Sequence, residues 1–253
     1  MQDGTVRLDQ PLSAFVPGAP DLTLESLATH HSGLPRLLPG NVRAIRRAPD
    51  SRDPYAAEDE PTVLAALRRT RLRRRRYTYS NHGFGLLGLA LSKATGRSYG
   101  ELVHALLAEP LGLTTVTMQD PPGLALPHVK DRTVPVWHFP EAVAGCGGAR
   151  GSVQDLARWL GAALGDVPEP LSSALTMATA ARARAKGGQV GLGWNVGLPF
   201  VKGREGVLWH NGAVGGSVSF GAVDPASGRV VALLANSAGS LDALGVRLLR
   251  AAG

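Results

Sequence analysis

Apolar residues recur at helical spacing early in the chain, beginning with the stretch "LTLESLATHHSGLP". Leu24 and Leu27 follow Thr23, a residue type that often caps the N-terminus of a helix. Gly33 and Pro35 come shortly afterwards, and both residue types commonly end helices. The pattern therefore predicts a short helix that begins after Thr23 and stops at Gly33.

A longer helical pattern follows Asn81. Apolar residues occupy positions i, i+3 and i+7 of this stretch, as Phe84, Leu87 and Leu91. Gly96 comes directly after the periodic residues, and glycine is the residue type that most often ends a helix. We therefore expect a helix from Asn81 to the residue before Gly96.

Two more helices are predicted downstream. One should run from roughly Tyr99 to Ala108 and end at Pro110. The other opens the stretch "GSVQDLARWLGAAL", where Ser152 and Asp155 hold the two polar positions of a capping box, with aspartate in place of the usual glutamate. Residues 36 to 62, by contrast, are rich in Pro, Arg and Asp and show little periodicity, so we expect a long surface excursion there.

From residue 189 onward the pattern changes to short runs with strand character. A hairpin turn, "DPASG", joins the last two runs, and an amphipathic closing helix, "LDALGVRLLRAA", should pack on the sheet. The prediction is a single α+β domain, with a mostly helical part over residues 15–170 and a sheet-and-helix part over residues 189–253. The predicted strands are "GLGWNVG", "GVLWHNGAV", "GSVSFGAV" and "RVVALLAN".

The composition is that of a globular protein and limits the possible functions. With 253 residues and 44% apolar content, the chain can form one large domain or two small ones. No apolar run approaches the ~18 residues of a membrane span, and "MQDGTVRLDQ" lacks a signal-peptide pattern, so the chain as written is expected to be cytoplasmic. The single cysteine, Cys146, and the lack of an H-E-x-x-H pattern give no reason to expect a metal or an organic cofactor.

The positive charge is concentrated in one place. Lys and Arg number 27 against 20 Asp and Glu, a net charge of +7, and the run "RRTRLRRRR" from Arg68 to Arg76 supplies much of it. Such a run can bind nucleic acid or an anionic membrane. It has no interleaved aromatic residues and matches no recognisable nucleic-acid module, so we expect a solvated surface segment and no nucleic-acid partner.

The stretch "YTYSNHGFGLLG" places Tyr79, Ser80 and Asn81 in a row at the start of a predicted helix. Taken by itself, this triplet is most simply a helix cap, in which Ser80 or Asn81 accepts backbone N–H bonds. The alternative is a catalytic triplet. The three residues alone leave both interpretations open.

Several segments, in order along the chain, resemble the serine β-lactamases and penicillin-recognising enzymes, in the branch of class C β-lactamases, D,D-peptidases and related esterases. The resemblance covers almost the whole chain, and its blocks are far more specific together than any one alone. It implies the β-lactamase/transpeptidase-like fold, an antiparallel sheet with flanking helices plus a mostly helical subdomain. The blocks are "GTVRLDQPLSAFVP", "LTLESLATHHSGLP", "YTYSNHGFGLLGLALSKATGRSYGELVHALLAEPLGL", "GGARGSVQDLARWL" and "WHNGAVGGSVSF".

The resemblance implies catalytic roles for two residues of the triplet. Tyr79 lies where the family places its general base, and Asn81 where it places a side chain that hydrogen-bonds the substrate. A phenol with an ordinary pKa of about 10 needs nearby cations to ionise at neutral pH. Because the lysine of the family's first motif is absent here, we expect Tyr79 to stay protonated.

The resemblance also implies a second group of site residues. His210, Asn211 and Gly212 match the family's third motif, on the strand that borders the pocket, where His210 would lend polarity to the tyrosine and to a substrate carboxylate. Asn211 and Gly212 would line the substrate, and the Ala213 backbone N–H matches one of two oxyanion donors. An ordinary, partly buried strand histidine is the alternative for His210.

One part of the family's site is absent from this sequence. The family's nucleophile is the serine of S-x-x-K at the start of a helix, and no serine in this chain has a lysine three residues later. The resemblance thus implies a chain that begins after the nucleophile helix and the first strands of the sheet. Such a chain lacks the serine, its lysine and one oxyanion donor, and we expect it to be inactive as written.

Other serines offer rival nucleophiles. The stretch "GRSYG", Gly96 to Gly100, fits the G-x-S-x-G elbow of α/β-hydrolases, with Ser98 as the nucleophile. That elbow needs a strand before it, whereas a helix is predicted here, which favours a turn between two helices. Ser80 and Ser32 lie inside the tyrosine motif and the first helix stop, without a recognisable lysine or histidine partner.

Three functions stay open on the sequence. The first is a hydrolase of small acyl substrates (β-lactams, D-amino-acid peptides or esters) whose true start lies upstream of Met1. The second is a non-catalytic relative that binds a ligand or a partner, and the third is a nucleic-acid-associated protein acting through Arg68 to Arg76. In the resembled family, N-terminal strands pair with the final strand, so "RVVALLAN" should form an open edge through which the chain self-associates.

Overall fold

The fold is described from a computed structural model of the chain. The middle of the predicted surface excursion, residues 38–52, lies outside the described residues. The ranges that the structure describes are 4–37, 53–74, 76–198, 201 and 203–251.

The chain forms two compact units that are not simply consecutive in sequence. The first unit comprises Met1–Val103 and Pro135–Ala149, and the second comprises His104–Val134 and Arg150–Gly253. The chain therefore leaves the first unit, returns to it for a short segment, and leaves it again. The division into parts at residues 170 and 189, which the sequence pattern favours, stays a prediction.

The first unit is built mainly from helices. Its longest helix, α3, ends at Gly96, where a φ of 69° is the left-handed conformation that glycine adopts at little cost, and this confirms the predicted end. Short 3₁₀-helices complete the unit at Leu12–Ala14 and Glu141–Cys146. Among the described residues of this unit, the α-helices are α1 (Leu24–Ala28), α2 (Glu60–Arg68), α3 (Asn81–Thr95) and α4 (Tyr99–Val103).

Helix α1 begins where the sequence predicts but ends earlier. The Thr23 hydroxyl accepts the Ser26 backbone N–H at 3.2 Å, which confirms the predicted cap. The predicted stop at Gly33 is wrong, because the helix ends at Ala28 and the backbone turns at His30, whose φ is 59°. His30 keeps this left-handed conformation although it is not glycine, since its carbonyl accepts the Thr78 N–H at 2.9 Å from another part of the unit.

Helix α3 packs against the 3₁₀-helix Glu141–Cys146 through a seam of glycines. A methyl group built on Gly85 would lie 2.9 Å from the Val143 Cα, and one built on Gly145 would lie 2.6 Å from the Phe84 carbonyl oxygen. The two backbones can approach this closely only because these positions lack side chains. Around the seam, Leu86 and the other core residues of the unit are almost completely buried.

The helices of the second unit correct two details of the sequence prediction. Pro110 does not end a helix but lies at the start of α5. A π-helical turn, His104–Ala108, precedes α5, and Gly112 ends that helix. The α-helices of this unit are α5 (Glu109–Leu111), α6 (Val153–Ala162), α7 (Leu171–Thr179) and α8 (Asp242–Ala251).

The predicted capping box at the start of α6 is half correct. The Ser152 hydroxyl accepts the Asp155 N–H at 3.2 Å, so Ser152 is the cap. The Asp155 carboxylate does not reach back to Ser152, because it accepts the Thr115 N–H at 2.7 Å and the Thr115 hydroxyl at 2.6 Å. These bonds hold the start of α6 to the segment after α5, and they lower the pKa of Asp155 although its burial opposes this.

An antiparallel sheet in the order β3-β4-β5-β6-β7-β8 forms the body of the second unit. Strands β6, β7 and β8 confirm the last three predicted runs, and Asp224 faces Arg229 across the predicted hairpin. The closing helix α8 packs on the sheet as expected, since Gly245 lies so close to the Phe220 ring that a methyl group there would approach it to 2.2 Å. The strands are β1 (His128–Val129), β2 (Arg132–Thr133), β3 (Ala183–Ala185), β4 (Gly188–Val190), β5 (Asn195–Val196), β6 (Leu208–Val214), β7 (Ser217–Asp224) and β8 (Arg229–Ala235).

Candidate active site

Ser80 caps helix α3. Its hydroxyl accepts the Gly83 N–H at 3.0 Å and donates to the Pro35 carbonyl at 2.7 Å. Its backbone lies in the extended region, as expected for a cap residue. The capping interpretation of the triplet is therefore correct for Ser80, and capping does not explain why Tyr79 and Asn81 flank it.

The Tyr79 ring lies among aromatic and cationic groups of the first unit. Its centroid is 4.3 Å from that of the His30 ring, and the Arg36 guanidinium carbon lies 5.3 Å from the Tyr79 ring centroid. Burial raises the pKa of the Tyr79 phenol above its ordinary value, and the Arg36 charge opposes that rise. The direction agrees with the expectation that Tyr79 stays protonated at neutral pH.

His30 fixes the backbone on both sides of Tyr79. Its carbonyl oxygen accepts the Thr78 N–H at 2.9 Å, and its ring Nδ1 accepts the Ser80 N–H at 3.1 Å. Since Nδ1 is an acceptor in this bond, a neutral His30 ring carries its proton on Nε2. The histidine of the first helix block therefore positions the tyrosine motif, a role that sequence reasoning did not assign.

Asn81 is oriented by a residue that the sequence did not single out. Its side-chain amide donates to the Tyr55 hydroxyl at 2.7 Å, and its backbone N–H donates to the Arg36 carbonyl at 3.1 Å. Tyr55 is 3% exposed and its ring stacks on Phe139 at 4.7 Å. Part of the predicted surface excursion is thus buried; the signal available in the sequence was an aromatic residue inside a polar stretch.

Buried polar groups lie behind Asn81. His82 is completely buried, and its Nε2 lies 2.7 Å from a Glu58 carboxylate oxygen. Burial, with the Glu58 charge adding to it, raises the pKa of the Cys146 thiol to about 12. Burial likewise raises the pKa of Tyr55. The Cys146 thiol is therefore protonated and a poor nucleophile at neutral pH. Together, these buried polar groups support the start of α3.

His210 lies in the middle of strand β6, opposite Gly221 of β7. The side chain is partly buried, and burial lowers its pKa below the ordinary histidine value although a hydrogen bond with the Asn211 backbone opposes this. His210 is therefore neutral at pH 7. A neutral imidazole can polarise a neighbouring group without adding a full charge.

The three residues after His210 are exposed. The Asn211 amide donates to both oxygens of the Asp242 carboxylate at 3.0 Å, at the beginning of α8. Gly212 faces Ser219, and Ala213 faces Val218 on β7. The substrate-binding roles of Asn211 and Gly212, and the oxyanion role of the Ala213 N–H, stay predictions.

The rival nucleophile elbow at Ser98 is wrong. Helix α3 precedes the segment and α4 follows it, whereas the elbow needs a strand before the serine. The Ser98 hydroxyl and backbone N–H both bond the Glu101 carboxylate, at 2.8 and 2.7 Å, so the pair forms a capping box for α4. Ser32 is buried, and its hydroxyl accepts the Leu34 N–H at 3.4 Å.

The described residues contain no cluster of histidine, cysteine and carboxylate side chains suited to a metal ion. Within the same residues, no helix combines the length and the apolar character needed to cross a membrane.

Solved structures with a similar fold include a class C β-lactamase and a penicillin-binding protein homologue. A class C β-lactamase superposes with a TM-score of 0.82 at 20% identity, over 99% of this chain and 76% of that protein. The octameric penicillin-binding protein homologue from Pyrococcus abyssi gives a TM-score of 0.79 at 23% identity, over 99% of this chain and 61% of the homologue. These similarities show the β-lactamase/transpeptidase-like fold.

Curated relatives match most of this chain but are longer. The D-alanyl-D-alanine-carboxypeptidase/endopeptidase AmpH of Escherichia coli K12 is 29% identical over 250 residues, which are 89% of this chain and 63% of AmpH. An unguisins hydrolase, ungD', of Aspergillus campestris is 26% identical over 249 residues, 90% of this chain and 45% of that hydrolase. The chain thus spans less than two thirds of the length of these relatives.

A family model described as Beta-lactamase matches residues 1–252, which is nearly the entire sequence. The match agrees with the sequence blocks, with the fold and with the curated relatives. The chain therefore belongs to the serine β-lactamase and penicillin-binding-protein-like family.

Proposed function

We propose that this chain carries the proton-transfer and substrate-binding side of a serine acyl-transfer site for β-lactams, D-amino-acid peptides or esters. The main support is the arrangement of the triplet at the start of α3. Ser80 supplies the cap, while Tyr79 is placed against His30 and Arg36 and Asn81 is oriented by Tyr55. A triplet needed only for capping would not require these supports.

In the proposed reaction, a serine hydroxyl attacks the acyl carbon and its proton passes to Tyr79 in the phenolate form. Tyr79 then gives this proton to the leaving group, and water later releases the acyl group by the same route. Burial favours the protonated phenol, and the Arg36 charge only partly opposes it. A second cation beside Tyr79 is therefore needed, and the lysine of an S-x-x-K motif would supply it.

The second unit carries the other residues to which the family resemblance assigns a role in the reaction. The Ala213 N–H would donate to the oxyanion that forms on the attacked carbonyl, and the neutral His210 ring would polarise the substrate. The amide of Asn211, already bonded to Asp242, would hold the middle of β6 to the start of α8. No metal or organic cofactor enters this mechanism.

We further propose that the 253 residues by themselves form no acyl-enzyme. No serine in the sequence has a lysine three residues later, and the structure gives Ser80 and Ser98 capping roles. Losing one oxyanion donor alone typically raises a barrier by about 2.7–4 kcal/mol, and losing the nucleophile removes the covalent route. The site would then bind an acyl compound without turning it over.

A non-catalytic binding role is the second candidate. It is favoured by the protonation states, since the raised pKa of Tyr79 and the lowered pKa of His210 leave both side chains neutral near pH 7. A neutral phenol and a neutral imidazole are suited to hydrogen-bonding a ligand. They are less suited to removing a proton from a serine.

Acylation separates the two candidates. We expect no labelling of this chain by fluorescent penicillin or fluorophosphonate. A longer chain, carrying a family S-x-x-K segment at its N-terminus, should be labelled, and Tyr79→Phe in it should abolish turnover. Tyr77→Phe is the matched control and should leave turnover unchanged. Labelling of the short chain would contradict the proposed inactivity, and full turnover in Tyr79→Phe would contradict the proposed base.

We also propose that the chain self-associates through strand β8, with a second copy of the chain as the partner. In the described part of the sheet, β8 pairs with β7 on one side and is the last strand in the order. Its residues are mostly apolar and partly buried, with Leu234 exposed and Arg229 as the charged residue of the strand. Unpaired edges of this kind tend to pair with another chain.

A further inference from the structure

The end of α2 and the residues that follow it present an array of exposed arginines on the first unit. We call residues 68–74 and 76 the arginine segment. Thr70 and Leu72 are the members that are not arginine, and each arginine side chain is exposed. These arginines are Arg68, Arg69, Arg71, Arg73, Arg74 and Arg76.

The backbone of the arginine segment is fixed against the rest of the unit. The Arg73 N–H donates to the Gly33 carbonyl at 2.9 Å. A methyl group built on Gly33 would lie 2.5 Å from the Arg73 carbonyl oxygen, so the segment crosses directly over a glycine. Gly33, with a φ of 81°, also needs the left-handed conformation. The backbone at Arg73 is therefore held in place before any partner binds, which lowers the entropy cost of ordering this part of the segment.

The charge of this array is not neutralised within the described residues. None of its arginines forms an ion pair with a described carboxylate, whereas Arg150 and Arg204 elsewhere in the chain do. The net charge of the whole sequence is +7, and the run Arg68 to Arg76 accounts for an excess of that size. Repulsion among such charges is relieved when an anionic surface binds.

The apolar residue in the array indicates which anionic surface fits. Leu72 is 37% exposed between Arg71 and Arg73. At a bilayer surface, guanidinium groups meet lipid phosphates while a neighbouring leucine enters the acyl boundary. Nucleic acid offers no comparable site for a leucine. It would instead favour an exposed aromatic ring for stacking, but the Tyr77 ring packs on His30 and His31.

We propose that the arginine segment docks the protein on an anionic lipid bilayer. The segment lies flat on the lipid headgroups, with Leu72 inserted between them. This docking does not depend on the hydrolytic function proposed above, because it uses no residue of the candidate site.

Vesicle co-sedimentation of the full chain tests the proposal. The chain should bind vesicles of phosphatidylcholine mixed with phosphatidylglycerol, should not bind phosphatidylcholine alone, and should dissociate as salt is raised. Removing four arginines of the segment should weaken binding by about 100-fold or more, from the known contribution of each basic residue. The variant carries Arg71→Gln, Arg73→Gln, Arg74→Gln and Arg76→Gln, and the control of equal charge carries Arg97→Gln, Arg184→Gln, Arg247→Gln and Arg250→Gln.

The control variant should keep nearly all of the binding, and Leu72→Ser should weaken binding to vesicles several-fold. Circular dichroism of each variant checks that it is folded. Equal losses in the two four-arginine variants would overturn the proposal, because net charge alone would then explain binding. Binding to duplex DNA without binding to anionic vesicles would also overturn it and assign the segment to nucleic acid.

Discussion

The Tyr55 hydroxyl accepts a hydrogen bond from the side-chain amide of Asn81 in a buried environment. Removing this hydroxyl should therefore destabilise the protein. We expect Tyr55→Phe to lower the free energy of unfolding by about 1–3 kcal/mol, because the Asn81 amide loses its buried acceptor. Urea unfolding followed by circular dichroism measures this. Tyr77→Phe is the matched control and should cost less than about 0.5 kcal/mol. Equal effects of the two substitutions would contradict the role given to the Tyr55 hydroxyl.

The lowered pKa of His210 makes stability depend on pH in a defined window. The unfolded chain binds a proton at His210 near the ordinary pKa of about 6.5, whereas the folded chain resists protonation to lower pH. The contribution of the neutral His210 ring to the free energy of unfolding is therefore fully present above pH ~6.5. It is lost as pH falls through the lowered pKa, at up to about 1.4 kcal/mol per pH unit.

His210→Gln should remove this part of the acid destabilisation. Urea unfolding between pH 7 and pH 5 measures the slope of stability against pH for each protein. His104→Gln, which removes an exposed histidine of the same unit, supplies the control. An unchanged slope in His210→Gln would show that burial does not hold this imidazole neutral.

At the scale of single residues, the sequence was informative where neighbours in the chain interact. Ser80 as a cap followed from its place before an apolar helical pattern. Tyr55 and Arg36 were missed, because their contacts with Asn81 and Tyr79 join segments that lie far apart in sequence. The residue pattern within a short stretch of sequence contains no information about contacts between such distant residues.

At the scale of elements, the close packing of α3 through its glycines leads to a testable prediction. Gly85→Ala should destabilise the protein by about 1–3 kcal/mol, since the added methyl group meets the Val143 backbone at 2.9 Å. In α6, a methyl group on Gly161 meets nothing within 4 Å, so Gly161→Ala should be stabilising by up to about 1 kcal/mol. Thermal unfolding of both variants checks the contrast. A stable Gly85→Ala variant would mean that the two backbones can separate at little cost.

Element predictions succeeded where periodicity and turn residues agree, as in α3, β7 and β8. They failed at His30 and at Pro110. His30 adopts a left-handed conformation that a hydrogen bond from the Thr78 N–H stabilises. Pro110 lies at the start of α5, directly after a π-helical turn. Both outcomes depend on surroundings that a sequence window does not contain.

At the scale of the whole molecule, the open edge at β8 predicts association in solution. Size-exclusion chromatography should show a concentration-dependent species larger than the monomer. Leu234 is 45% exposed on β8, and Leu234→Lys should shift the protein towards the monomer. Leu126, 54% exposed outside this strand, is the control, and Leu126→Lys should not change elution. A wild-type chain that is monomeric at every concentration would contradict the edge proposal.

The overall fold could be expected from several collinear blocks together, although no single block was specific. The alternation of the chain between its two units could not, because the returning segment Pro135–Ala149 has no composition that marks it as part of the first unit. Its place is set by packing against α3, which involves residues far earlier in the chain.

This alternation bears on how the protein folds while the ribosome is still making it. Helix α3 is complete once Gly96 has been added, but its packing partner, Glu141–Cys146, is translated only after a stretch that belongs to the other unit. At elongation rates of ~5–20 residues per second, the glycine face of α3 waits for several seconds without that partner. During this interval the nascent first unit depends on other contacts, or on a chaperone, to keep the apolar face of α3 from misfolding.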